Sequence, residues 1–149
     1  IFLEDQIKQT ENEIEKLMAS LDSVIETIPG IGPVLGATIL GEIGDDMSSF
    51  ATSSNITSWA GLCPRNNESA GKKKSQKILH GNTYVKSILC QCAWAAVRTR
   101  NTRIAKWFWS HQGKIGQKKS IIAVARKLLV YIYMILSSRS PYNTKLDMT

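Results

Sequence analysis

Cysteine and histidine are scarce in this chain, at three and two among 149 residues. Cys63, Cys90 and Cys92 are odd in number and cannot close a disulfide framework of the secreted kind, so they fit a reducing, cytoplasmic compartment. Cys90 and Cys92 stand two apart on an expected helix and so face different ways. His80 and His111 have no companions at ligand spacing, and no HExxH, CxxC or paired-carboxylate pattern occurs. No metal site is expected. Ser69-Ala70-Gly71-Lys72 lacks the Gly-x-x-x-x-Gly-Lys-Ser/Thr order of a P-loop, which argues against nucleotide hydrolysis. Long apolar runs are also missing. The longest, residues 128–136, is too short to span a bilayer and follows Arg126 and Lys127. With no signal peptide either, no membrane partner is expected.

Acids are nearly absent from two thirds of the chain. Residues 51–149 hold seventeen bases against Glu68 and Asp147 alone, whereas residues 1–50 hold ten acids and two bases. The net charge of +7 conceals this asymmetry. A block so basic attracts a polyanion such as nucleic acid; the alternative is a solvated surface that docks on an acidic partner domain. The length suits one domain, which at this size buries about 70% of its unfolded surface and needs no staples. An apolar share of 43% argues against global disorder. The sequence begins at Ile1, inside what already reads as a helix, so a fragment of a longer polypeptide is expected.

The pattern predicts a mainly α fold, with no convincing strand ladder. Residues 1–26 read as one helix. Ile7, Ile14 and Leu21 recur every seven residues, Leu3, Leu17 and Val24 take the second seam position, and Thr10 is its polar member. So narrow a seam needs a partner helix, from this chain or another. A homo-oligomer through a coiled coil is one outcome, and docking on the chain's own domain is the other. A compact helical domain is expected over 27–140. It opens with Thr27-Ile28-Pro29-Gly30-Ile31-Gly32-Pro33, which resembles a helix-hairpin-helix. Gly30 and Gly32 would leave backbone N–H groups uncovered for a phosphate oxygen, with Ile28 and Ile31 anchored in the core. The alternative is a purely structural corner, and the nearby Asp45 and Asp46 oppose a phosphate there.

Ser53 or Ser54 is read as the cap of a short helix with Ile56, Trp59 and Leu62 on one face. Asn82 is read as the cap of a helix from Thr83 to about Arg100, with Val85, Ile88, Leu89, Cys92, Ala93 and Ala96 inward. Another helix covers Ile104 to Trp109, Gly113 and Gly116 flank a break, and a last helix runs from about Lys118 to Ser137. Pro141 should end the fold and leave 141–149 as a disordered tail.

Between these helices lies a polar, basic loop centred on Ser69. Arg65, Lys72, Lys73, Lys74 and Lys77 surround the serine with positive charge, and Ala70 and Gly71 leave room for close approach. A serine that attacks a phosphodiester needs a proton acceptor and cations to neutralise the charge building on phosphorus. The cations are there; no base is evident. From chemistry alone Ser69 reads equally as a surface serine in a phosphate-clamping loop. A second cationic cluster comprises Arg98, Arg100, Arg103, Lys106, Lys114, Lys118, Lys119, Arg126 and Lys127, with Trp94, Trp107, Phe108 and Trp109 interleaved. These aromatics stack on bases or belong to the helix core; Lys118 and Lys119 are the better candidates for phosphate contact.

Four motifs in succession carry a resemblance. They are Ile28-Pro-Gly-Ile-Gly-Pro, Ser58-Trp-Ala-Gly-Leu-Cys-Pro, Asn67-Glu-Ser-Ala-Gly-Lys and Gly81-Asn-Thr-Tyr-Val-Lys. Together, over about residues 24–140, they resemble the C-terminal transposase domain of the IS110/IS1111 family. The resemblance implies a DNA transposase or site-specific recombinase in which this domain, joined by a coiled-coil segment to a RuvC-like domain, supplies a serine nucleophile. Ser69 is the residue at that place. It also implies acids and Mg²⁺ on the RuvC-like domain, which is outside this sequence, so that the piece alone is inactive. DNA, and a structured guide RNA in a bacterial or archaeal cytoplasm, are the implied partners. After Lys72, many members carry arginines and glycines where this chain has Lys73, Lys74, Ser75, Gln76 and Lys77, so charge is kept and bidentate arginine contacts are not. The competing readings are a non-catalytic nucleic-acid-binding and dimerisation module and, more remotely, a helix-hairpin-helix repair protein.

Overall fold

A computed structural model describes residues 1–63 and 80–138, the side chains of 17–23 and 80–82 excepted. Among these residues the chain forms α1 (Phe2–Ile25), α2 (Pro33–Ile43), a 3-10 turn (Met47–Ser49), α3 (Ser53–Trp59), α4 (His80–Arg98), α5 (Arg103–Ile115) and α6 (Gln117–Ser138), and no strand. The expected mainly α class holds. The tail 141–149 and its Pro141 lie outside the described residues.

Helix α6 is the spine. Ser120, Ile121, Val124, Ala125, Leu128, Leu129, Ile132, Ile135 and Leu136 recur at steps of three and four and are all buried. They meet α1, α3, α4, α5 and the 3-10 turn, each of which packs directly on this helix. By length and composition α6 would cross a membrane, but more than half of its most apolar stretch is covered by the domain's own helices, which marks it as a core helix. Helix α4 supplies the facing stripe: Val85, Ile88, Leu89, Cys92, Ala93 and Ala96 are buried as their spacing predicts. Phe108 from α5 fills the space between, edge-on to Trp94 at 6.0 Å between ring centroids. Thus Phe108 belongs to the core and Trp94 is half-buried against it.

Small residues on α4 admit the α1–α2 corner. Gly30 has φ +89°, and a Cβ built there would sit 2.4 Å from the Cys92 carbonyl oxygen and 2.6 Å from the Ala96 nitrogen. Both obstacles are backbone, so neither can yield. Ile28 and Ile31 on either side are buried, as expected of anchors.

Helix ends differ in detail from the sequence reading. Thr52, rather than Ser53 or Ser54, occupies the N-cap of α3; its hydroxyl donates to Asn55 Oδ1 at 3.4 Å, and the Ser53 and Ser54 carbonyls accept from Thr57 Oγ1. Asn82 does not cap α4, which starts at His80. An interior Asn costs a helix only a few tenths of a kcal/mol, about what one added turn of backbone bonding offsets. The C-terminus of α4 comes earlier than Arg100, at Arg98, where the Trp109 indole Nε1 of α5 donates to the Val97 carbonyl at 3.0 Å. Asn101 then turns the chain at φ 64°. Gly113 stays helical, and the break falls at Gly116 alone, because one left-handed residue (φ 92°) suffices to end α5. Thr102 begins α5 by accepting from Ala105 N–H at 3.1 Å.

Gly30→Ala should therefore lower unfolding free energy by roughly 2–5 kcal/mol, since it combines left-handed strain with overpacking against fixed backbone. Gly32→Ala meets nothing within 4 Å and should change stability by no more than about 1 kcal/mol. Urea denaturation of the two variants checks the pair; equal midpoints would contradict the close-approach account.

Candidate nucleic-acid interface

The two hairpin glycines have unequal roles. Gly30 is committed to packing on α4. Gly32 is the N-cap of α2 with open space around its Cα, brings no side-chain cap, and is followed by Pro33 at the first helical position and a Val34 that is 77% exposed. Backbone donors at this end are thus not covered by a capping side chain. The acids that argued against a phosphate here stand at the other end of α2. Eleven residues of helix separate Gly32 from Gly44, about 16 Å of rise, beyond a physiological Debye length of about 8 Å. Asp46 is engaged there, accepting from Ser48 N–H at 2.9 Å to start the 3-10 turn.

The α5–α6 junction gathers cations. Lys114 lies in the last turn of α5, and Lys118 and Lys119 lie in the first turn of α6, all solvent-exposed. No acid occupies that first turn. Lysines at a helix N-terminus oppose the macrodipole, so the position favours an anion bound beside them. Neither lysine forms an ion pair among the described residues.

Farther along, the aromatic residues divide. Trp109 is 57% exposed, with its ring edge-on to Phe108 at 5.0 Å. Trp107 is half-buried and stacks on His111 at 4.6 Å and 16° between planes. His111 is itself fixed, its Nδ1 lying 2.8 Å from both the Trp107 carbonyl and Ser110 Oγ. Lys127 of α6 sets its Nζ 5.9 Å from the Trp107 ring centroid, a cation–π contact.

The chain runs toward Ser69 from Cys63, just after α3. The Cys63 sulfur lies 3.1 Å from Thr57 Oγ1 and accepts from Ser58 Oγ at 3.4 Å. Burial pushes the thiol up, but the hydrogen bonds from Ser58 and Thr57 and the positive charge of Arg126 outweigh it, and the net shift is downward. Burial raises Cys90, with partial relief from Lys86, and raises Cys92 to about 11. The sequence reading missed the influence of the Arg126 charge on Cys63 and the Trp107–His111 stack. The second carried a signal in its i, i+4 spacing; the first carried none.

Ser69, Arg65, Lys72, Lys73, Lys74 and Lys77 lie outside the described residues. Gly30 and Gly32 lie in the α1–α2 corner, and Lys118 and Lys119 in the first turn of α6. Among the described residues no three of His, Cys, Asp and Glu converge on one point. They do not fit the Mg²⁺ that the resemblance puts on a separate domain, and no step through a metal is assigned to them.

The sequence matches the model of the transposase IS116/IS110/IS902 family over residues 22–108. That is more than half of the chain, and the chain belongs to this family. It is similar to the pilin gene-inverting protein of Moraxella bovis, with 30% identity over 151 residues, 95% of this chain and 47% of that protein. It is also similar to the transposase for insertion sequence element IS1111A of Coxiella burnetii, with 25% identity over 122 residues, 79% of this chain and 33% of that protein. A third relative is the transposase for insertion sequence element IS1328 of Yersinia enterocolitica, with 26% identity over 133 residues, 85% of this chain and 40% of that protein. The chain spans about half or less of the length of these curated relatives.

Thiol titration tests the local electrostatics. At neutral pH a lowered pKa means more thiolate, so Cys63 should alkylate with iodoacetamide well before Cys90, and Cys92 last. Arg126→Gln should slow Cys63 and leave Cys90 and Cys92 unchanged. Peptide mapping after timed labelling reads the order, and equal rates for Cys63 and Cys92 would refute it.

Proposed function

We propose that this chain is the serine-bearing, nucleic-acid-binding part of a DNA transposase. The observation that carries the reading is the family match over residues 22–108, a span that includes Ser69 and its flanking cations. Relatives named as transposases and as a gene-inverting protein support rearrangement of DNA as the activity of the whole protein. In this reading the Ser69 oxygen attacks a phosphodiester phosphorus, a P–O bond to the departing strand breaks, and a phosphoserine link retains the bond energy for rejoining. The proton of Ser69 passes to a base outside this sequence. Arg65, Lys72, Lys73, Lys74 and Lys77 would neutralise charge at the attacked phosphate, while Gly32, Lys118 and Lys119 would hold phosphates farther along the strand. Gly30 contributes by setting the angle of the hairpin.

The face of α1 supports oligomerisation. Every residue from 1 to 16 is exposed, including Ile7 at 59% and Ile14 at 51%. An apolar seam of about 24 Å stands clear of the domain, as one half of a coiled coil would. The same exposure also favours the second reading, in which the chain is a dimerising nucleic-acid module and Ser69 only touches phosphate.

Two measurements separate these readings. Full-length Ser69→Ala protein should bind DNA yet form no covalent DNA adduct, with the wild-type adduct mapped to Ser69 by mass spectrometry. Wild-type recombination by that variant would remove the nucleophile and leave the binding module. Binding of duplex DNA should weaken steeply with salt, and Lys118→Gln/Lys119→Gln should flatten the log–log slope by about 1–2. An unchanged slope would take those lysines out of the interface.

A further inference from the structure

Between α3, α5 and α6 lies a cavity of about 540 Å³ that the reading above does not use. Its wall carries Ser53 from α3, Trp107 from α5, and Arg126, Lys127, Val130 and Met134 from α6. We infer that this cavity takes one nucleotide of a single strand, its phosphate on Arg126 and Lys127 and its base against Trp107. The inference rests on the nucleic-acid reading and deepens it by assigning a place where a base leaves the helix stack.

Three features support the assignment. The volume lies within the range of small-molecule sites, and both polarities of a nucleotide are met, with cations on one part of the wall and aromatic and apolar carbon on the rest. Among the described residues the lining contains no carboxylate, so none of them opposes a phosphate. Arg126 is exposed, its charge is felt by the Cys63 thiol, and it forms no ion pair with a described acid. The aromatic wall is also preorganised. The stack on His111 and the histidine's bonds to Trp107 and Ser110 fix the indole plane, so ordering it adds little to the entropic cost of binding. Lys127 already lies over that ring at 5.9 Å. A nucleotide entering the cavity takes the ammonium onto its phosphate and puts a base on the indole in its place. The cations fix where the strand lies and the stack tolerates any base, the combination used for single strands without sequence preference.

The test uses full-length protein and three decamer probes, oligo-dT, oligo-rU and an abasic deoxy strand of equal charge. Wild type should bind a base-bearing strand at least about 5-fold more tightly than the abasic one. The better of dT and rU identifies the strand as DNA or RNA. Trp107→Leu should bring that ratio close to 1, and Arg126→Gln, at an exposed position that leaves the core intact, should weaken all three probes several-fold. A strand carrying 5-iododeoxyuridine should crosslink to Trp107 in unaltered protein, a readout that needs no substitution. If duplex DNA still binds while Trp107→Leu leaves the ratio unchanged and crosslinks avoid Trp107, the cavity assignment fails alone. If wild type binds no nucleic acid at all, the broader reading fails with it.

Discussion

The packing of α6 against five other elements is the constraint on which the rest of the molecule depends. One helix must offer apolar side chains to α1, α3, α4, α5 and the 3-10 turn at once. It can do so because its inward positions are Ile, Leu, Val and Ala with Tyr131, and Ser120 is turned back on the Gly116 carbonyl at 2.8 Å. The less buried side carries Lys118, Lys119 and Arg126, with Lys127 half-buried. The cations of the α5–α6 junction and of the α3–α5–α6 cavity are therefore held on a single helix. Their spacing follows from helical geometry rather than from loop conformation.

Close approach is the second organising element. Gly30 lies against the backbone of α4 because Ala96 and the Cys92 carbonyl leave no volume for a side chain. That contact turns α2 so that its uncapped N-terminus faces outward with Gly32 and Val34. It also sends the acidic pair to the far end of the helix. A hairpin that reads in sequence as a phosphate loop is thus divided in structure between one packing glycine and one open glycine.

Charge is segregated along the chain and remains so in space. Glu4, Asp5, Glu11, Glu13 and Glu15 stay exposed on the first sixteen residues of α1, while described basic residues outside α1 decorate α4, α5 and α6. Among the described residues no Lys or Arg side chain forms an ion pair with another described residue, an arrangement suited to binding a polyanion. Trp107, His111 and Lys127 show how such a surface is kept ordered without acids: ring stacking and a cation–π contact take the place of ion pairs.

Sequence alone determined the helical class, the inward stripe of α4, the existence of the last helix, the Ile28 and Ile31 anchors and the charge asymmetry. Each of these is a local period or a composition, and a helix places residues three and four apart on one face whatever lies opposite. Exact caps were less legible, because Thr52 against Ser53, or His80 against Asn82, differ by less energy than a tertiary contact supplies. Only the tertiary structure decided that the Arg126 charge reaches Cys63, that Trp109 closes the end of α4, and that Tyr133 donates to the Phe50 carbonyl across 83 residues at 3.0 Å. Those pairings depend on how helices cross. Crossing is set by the joint volume of many side chains, such as the missing Cβ of Gly30, and no single stretch of the chain contains that information.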